Sequence, residues 1–220
     1  MGNRILYLVR HGQTNRITRA LDSLGNGLTE LGREQAALTA QRLSALPIDI
    51  IHHSPLRRAV ETASIIAAAC PAVPVRPARL LQECIPYLPA AFIEWYTTSS
   101  NEEIWEKRQT LPSELKPWLD MWTAGTEWSR IEQGMQQARR SFEKYFVPAH
   151  RSDRHELVVC HGNILRYFVC RALGVSEAAW IQTDVHNCGI SEILVESNGR
   201  TMLVSHNDTG HLPYTLRTYI

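Results

Sequence analysis

Short apolar runs alternate along the chain with longer amphipathic stretches, and that rhythm predicts its elements. Ile5-Leu6-Tyr7-Leu8-Val9 and Leu157-Val158-Val159-Cys160 are unbroken apolar runs of the length of buried parallel strands. Ile48-Asp49-Ile50-Ile51-His52-His53 reads as a third strand. The pattern predicts strands over 4–9, 48–53, 73–76, 155–160, 189–196 and 201–206, and helices over 30–45, 55–69, 130–146 and 163–173. Thr29 is a fair N-cap for the first helix, which must stop before Pro47. Ser54 and Pro55 suit the N-cap and first position of the second. Asn198-Gly199 predicts a hairpin between the last two strands. Strands alternating with helices give an α/β fold, a three-layer α/β/α sandwich with a mostly parallel sheet and one antiparallel edge strand.

The candidate chemistry sits where the strands end. The first strand runs into Arg10-His11-Gly12, and the strand ending at Cys160 runs into His161-Gly162-Asn163, so two histidines 150 residues apart occupy the same kind of position. Open α/β sheets bind ligands at the carboxyl ends of their strands. If both strands share one sheet, the imidazoles can face each other across one pocket. Gly12 permits close backbone approach, and Arg10 can clamp an oxyanion. The helix after Ser54-Pro55 opens with Arg57 and Arg58, the wrong sign for a helix N-terminus. Arginine placed against that preference implies a nearby anion for one of the two and a solvated turn for the other.

These segments resemble the histidine phosphatase superfamily, also called phosphoglycerate mutase-like. The similar stretches are Leu6 to Thr14, Leu28 to Ala36, Ser54 to Ala63 and Val159 to Gly162, so the likeness spans nearly the whole chain. Cys160 to Leu173, Asn198-Gly199-Arg200 and Asp208 to Pro213 are closest to the branch of the mitochondrial Ser/Thr protein phosphatase. The resemblance implies that His11 is a nucleophile forming a phosphohistidine. It implies that Arg10 and Arg58 grip phosphate, that His161 stabilises transition-state charge, and that Gly162 and Asn163 open a helix whose amides add an anion site. It places the proton donor at Glu83, and it makes residues 85–130 a cap over the site within one domain of residues 1–220. Many members carry an asparagine six residues after the first histidine. Ile17 stands there instead, so that either Asn15 replaces the contact or the contact is absent.

The implied activity is phosphomonoester hydrolysis on a phosphoprotein or a small phosphometabolite. The alternatives are a cofactor-dependent phosphoglycerate mutase and a non-catalytic binding module. The mutase signature Arg-His-Tyr-Gly after the catalytic glutamate is replaced by Cys84-Ile85-Pro86-Tyr87. Retention of Arg10, His11, Arg58, Glu83 and His161 disfavours an inactive module.

Composition narrows the partners. Lys and Arg number 23 against 22 Asp and Glu, a net charge of +1, which disfavours nucleic acid. The chain has no apolar run of the ~18 residues that a membrane span needs, and no signal-peptide pattern. Five cysteines without a Cys-x-x-Cys pair read as buried reduced thiols, from which a cytoplasmic protein is expected. No metal or cofactor is expected, and a homodimer is left open. Five of the six tryptophans fall within residues 85–128. Most of the aromatics there are expected to form the cap's own core, with one or two at the pocket mouth.

Overall fold

The computed structural model describes residues 1–14, 26–111, 116 and 128–219. The strands are β1 (Arg4–Arg10), β2 (Ile50–His53), β3 (Val75–Pro77), β4 (Arg154–Cys160), β5 (Ile190–Val195) and β6 (Thr201–Asp208). The helices are α1 (Glu30–Leu43), α2 (Arg57–Ala68), α3 (Ala90–Thr98), α4 (Asn101–Thr110), α5 (Trp128–Tyr145) and α6 (Gly162–Leu173). Among the described residues the six strands form one sheet in the order β3-β2-β4-β1-β5-β6.

The three layers follow from strand alternation. Leu6, Leu8, Val158 and Cys160 face one way and pack with Tyr145 of α5 and with Ile164, Leu165 and Phe168 of α6. Tyr7, Val9, Leu157 and Val159 face the other way and pack with Ala40 and Leu43 of α1 and Ala59, Ala63 and Ile66 of α2. Strands apolar on both faces are what a sheet covered on both sides needs.

β1 pairs with β4 in parallel, β4 with β2 and β2 with β3 likewise, while β5 runs antiparallel to β1 and β6 antiparallel to β5. The reversed strand therefore lies one place in from the edge. The hairpin at Asn198-Gly199 causes this, because it turns the chain back and leaves β6 outermost. Gly199 takes φ +90°, and the Asn198 side chain accepts the Arg200 N–H at 2.8 Å.

The chain leaves β1 through α1 toward β2, on the far side of β4. It leaves β4 through α6 toward β5, on the far side of β1. The connections diverge over opposite faces, so a crevice opens between the carboxyl ends of β1 and β4. His11 and His161 are the residues immediately beyond those two ends.

Candidate active site

The parallel register places Arg10 beside Cys160, so the next residue of each strand is a histidine at the same height. The two rings lie edge to face with centroids 5.1 Å apart. Both are buried. That separation allows one phosphate-sized anion to contact both.

His11 is held in one tautomer by its neighbours. Its Nδ1 lies 2.8 Å from the Gly12 carbonyl oxygen, which can only accept, so Nδ1 carries the proton. Its Nε2 accepts the Nε–H of Arg58 at 3.0 Å. The lone pair of Nε2 is therefore directed toward a guanidinium. Burial pushes the His11 pKa well below 6.5, and the charges of Arg58 and Arg10 add to that, against the Gly12 hydrogen bond. The ring is neutral near pH 7.

His161 is matched to Ser54. Its Nε2 lies 2.7 Å from Ser54 Oγ, which accepts the Leu56 N–H at 3.2 Å. Its Nδ1 is buried with no hydrogen-bond partner among the described residues. Burial lowers the His161 pKa well below 6.5, with His11, Arg58 and Arg10 acting in the same direction. The Ser54 contact also explains a difference from the sequence expectation. α2 begins at Arg57 with Leu56 as N-cap and no side-chain cap, later than expected from Ser54 and Pro55. The Ser54 hydroxyl is engaged with Leu56 N and His161 instead.

The two arginines at the start of α2 point in different directions. Arg57 is exposed and pairs with Glu61 one turn on, at 2.9 Å, whereas Arg58 turns inward to His11. Arg10 is buried, and its Nη1 donates to the Val185 carbonyl at 2.6 Å.

Glu83 follows the short 3₁₀ turn Arg79–Leu81 and reaches the start of α6. One carboxylate oxygen accepts the Cys84 N–H at 3.2 Å, and the other accepts the Asn163 N–H at 3.5 Å. Burial raises its pKa, outweighing the opposing charges of Arg58 and Arg10 and these two hydrogen bonds. The Asn163 amide, expected as an anion donor, is thus directed at Glu83. Gly12 also packs against the neighbouring backbone. Its N–H donates to Thr62 Oγ1 at 3.1 Å, and a Cβ there would lie 2.4 Å from the Gly32 carbonyl oxygen. Its missing side chain lets β1 dock on the first turn of α1. Asn15 and Ile17 lie outside the described residues.

Further residues that the sequence pattern did not single out hold the loop after β1. Asn187 Nδ2 donates to the His11 carbonyl at 2.9 Å, and the Cys188 N–H donates to the Arg10 carbonyl at 3.0 Å. Gln35 accepts the Gln13 N–H at 2.9 Å, while its Nε2 donates to the Leu216 carbonyl and Thr218 Oγ1. Thr218 in turn donates to Asn187 Oδ1 at 3.0 Å. Two buried amide side chains therefore tie residues 11–13 to residues 216–218. No local motif announces such contacts, because their partners are some 180 residues distant in sequence.

In the insert, Tyr87, Phe92 and Trp95 pack against the core cluster of α5 and α6, and Trp180 donates its indole N–H to the Tyr87 carbonyl at 2.9 Å. Trp105 is exposed. Trp118 and Trp122 lie outside the described residues, as do the side chains of Tyr96 and Trp128.

The family model of the histidine phosphatase superfamily (branch 1) matches residues 6–209. The chain belongs to this superfamily. It is 33% identical over 213 residues to the Caenorhabditis briggsae protein "Serine/threonine-protein phosphatase Pgam5, mitochondrial", covering 96% of this chain and 65% of that one. It is 31% identical over 215 residues to the Homo sapiens "Serine/threonine-protein phosphatase PGAM5, mitochondrial", covering 96% and 64%. The chain thus spans just under two thirds of the length of these curated relatives. The fold is shared with Bacillus stearothermophilus YhfR, at TM-score 0.67 and 21% identity over 96% of this chain and all of that one. It is shared too with a phosphoserine phosphatase from Entamoeba histolytica, crystallised with 3-phosphoglyceric acid, at TM-score 0.63 and 23% identity over 96% and 100%.

Both curated relatives are mitochondrial, which overturns the cytoplasmic expectation. That expectation rested on unpaired thiols. Cys84, Cys160, Cys170 and Cys188 are free and buried, so their state reflects the core and does not identify a compartment.

Proposed function

We propose that this chain is a phosphomonoester hydrolase that works through a phosphohistidine on His11. The observation that carries the reading is the His11 ring, with Nδ1 tied to Gly12 and Nε2 facing Arg58. A buried neutral imidazole offers a nucleophilic lone pair, and the guanidinium beside it is placed to receive the anion that lone pair attacks.

His11 Nε2 attacks phosphorus, and the bond from phosphorus to the ester oxygen breaks. Arg58 exchanges its contact with Nε2 for a phosphoryl oxygen, and Arg10 and His161 Nδ1 hold the others. Glu83, whose pKa burial raises, gives its proton to the departing alkoxide. Water then attacks the phosphohistidine, and the Glu83 carboxylate takes its proton. Inorganic phosphate leaves, and His11 returns to its neutral form.

The substrate is a phosphoprotein or a small phosphometabolite. Likeness to the Ser/Thr protein phosphatases supports the first class, and likeness to the Entamoeba histolytica phosphoserine phosphatase supports the second. The insert that begins at residue 85, described over residues 85–111, is the part of the single domain that chooses between them. Purified protein assayed against phosphoserine and phosphothreonine peptides and a panel of phosphometabolites tests this reading. Phosphate release from at least one class, absent in His11→Ala, is expected. Release that persists in His11→Ala overturns it.

A further inference from the structure

A second cluster of cationic groups lies at the other end of the same two strands. A cavity of about 390 Å³ is lined by Arg4, Ala149, His150, Arg151, Ser152, Arg154 and Glu156. Arg4 opens β1 and Arg154 opens β4, whereas the catalytic histidines follow their last residues. Seven residues of strand separate the two places, about 20 Å at the usual rise. The cavity is therefore distinct from the site at His11 and lies at the amino ends of the same two strands.

The arrangement runs against local electrostatic preference. Arg4 and Arg154 are direct register partners on adjacent parallel strands, so their side chains emerge side by side on one face. Like charges placed directly opposite destabilise a sheet. Arg151 adds a further guanidinium and His150 a ring N–H donor from the loop before β4. One carboxylate, Glu156, lies on the same face and contacts Arg4 Nη1 at 3.5 Å and His52 Nε2 at 3.5 Å. Asp49 takes Arg154 Nε at 3.5 Å from the rim. These contacts leave most of the guanidinium donors unspent, since each arginine carries five N–H groups. Arg4 Nε is buried and has no hydrogen-bond partner among the described residues. Three arginines set against Glu156 and Asp49 leave one cationic charge in excess around the cavity.

We infer that this cavity is a second anion site, for a free small molecule carrying two acidic groups of the phosphate type. One group sits between Arg4 and Arg154, and the other reaches Arg151 and His150. The volume falls in the range of small-ligand pockets. Guanidinium forks match the geometry of phosphate oxygens. Glu156 holds Arg4 in place and sets a modest affinity, because its own charge opposes the ligand. The inference stands apart from the catalytic reading and uses none of its residues.

The test is calorimetric titration at low ionic strength with methylenediphosphonate, whose bridging carbon phosphoryl transfer cannot displace. Wild type should bind two equivalents. Arg58→Ala, which weakens the catalytic anion site, should retain one event. That remaining event should weaken about tenfold with either Arg151→Ala or Arg154→Ala, the usual worth of one charge-assisted hydrogen bond. Raising the salt should weaken it further. Both variants should keep the wild-type melting temperature, because Arg151 is exposed and Arg154 is in an exposed surface pair. A parallel titration with citrate distinguishes the phosphate class from carboxylates, which should bind more weakly here. No residual event in Arg58→Ala, or a residual event indifferent to both arginine variants, overturns the inference. Citrate binding as tightly as the diphosphonate overturns the ligand class. Should Arg58 prove not to hold anion at all, the Arg151→Ala/Arg154→Ala double variant in wild-type background still loses one of two events.

Discussion

Replacing Ser54 with alanine should disable the site without removing any group that touches phosphate. Ser54 Oγ accepts the Leu56 N–H and holds one proton of its own, which it can donate to His161 Nε2, 2.7 Å away. Burial keeps His161 neutral, with a single ring N–H. With Nε2 accepting, that N–H is at Nδ1, the ring atom left without a protein partner among the described residues. Ser54 therefore selects the tautomer that can donate to a phosphoryl oxygen. The alanine variant leaves His161 Nε2 unpaired in the interior and the half-buried Leu56 N–H without its acceptor. Each such group costs about 1–3 kcal/mol, so a stability loss of roughly 2 kcal/mol is expected. A hydrogen bond to a charged partner contributes about 1.5–3 kcal/mol, so kcat/KM should fall roughly 10- to 100-fold. Hydrolysis of p-nitrophenyl phosphate, inhibition by vanadate and thermal melting measure the three quantities. Ser54→Thr keeps the hydroxyl and should recover most of the activity despite its extra methyl. A Ser54→Ala protein that is less stable but keeps wild-type kcat/KM and vanadate affinity refutes the tautomer argument and leaves Ser54 a purely structural role.

Glu83→Gln should lower turnover of alkyl phosphates by about 10²–10⁴ and spare p-nitrophenyl phosphate, whose leaving group needs little protonation; equal losses would make Glu83 a positioning group. Arg58→Ala should weaken vanadate inhibition far more than Arg57→Ala, because Arg58 meets His11 while Arg57 is exposed beside Glu61; equal effects would mean that the wrong arginine has been assigned. The pKa values of His11 and His161 are lowered on folding, so the unfolded chain binds more protons below pH 6.5. Stability from these groups is intact above the unfolded value of about 6.5 and is lost as pH falls toward the folded values. Glu83 has the opposite sign: its pKa is raised, so its contribution is present below the unfolded value of about 4.5 and is lost as pH rises through the folded one. Urea unfolding between pH 7 and pH 5 should show a decline that His161→Asn flattens, and an unchanged slope in that variant would contradict the assignment.

The features legible in the sequence share one property: their signal is local. A five-residue apolar run ending in Arg10-His11 marks both a core strand and what lies at its end. The same logic places His161, and the topology then brings the two rings together. Arg57 and Arg58 violate the helix-dipole preference, and the structure gives one to solvent and one to His11. Ser54 is legible only as a cap, because the competing partner His161 is 107 residues away. Asn187, Gln35 and Thr218 carry no signal, since amide and hydroxyl side chains in loops are common and their use here depends on tertiary closure. Gly12 shows a further limit. A glycine beside a histidine can serve a ligand or a neighbouring backbone, and the close approach to Gly32 shows the second use.

The central claim is a covalent bond between phosphorus and His11 Nε2, and rapid quenching during turnover of a ³²P-labelled phosphomonoester tests it most directly. Label on the protein should build up ahead of steady-state phosphate release. That label should be labile in acid and stable in alkali, should map to the Nε2 atom of His11, and should be absent from His11→Ala. Label that is stable in acid, that maps to another residue, or that forms undiminished in His11→Ala would contradict it.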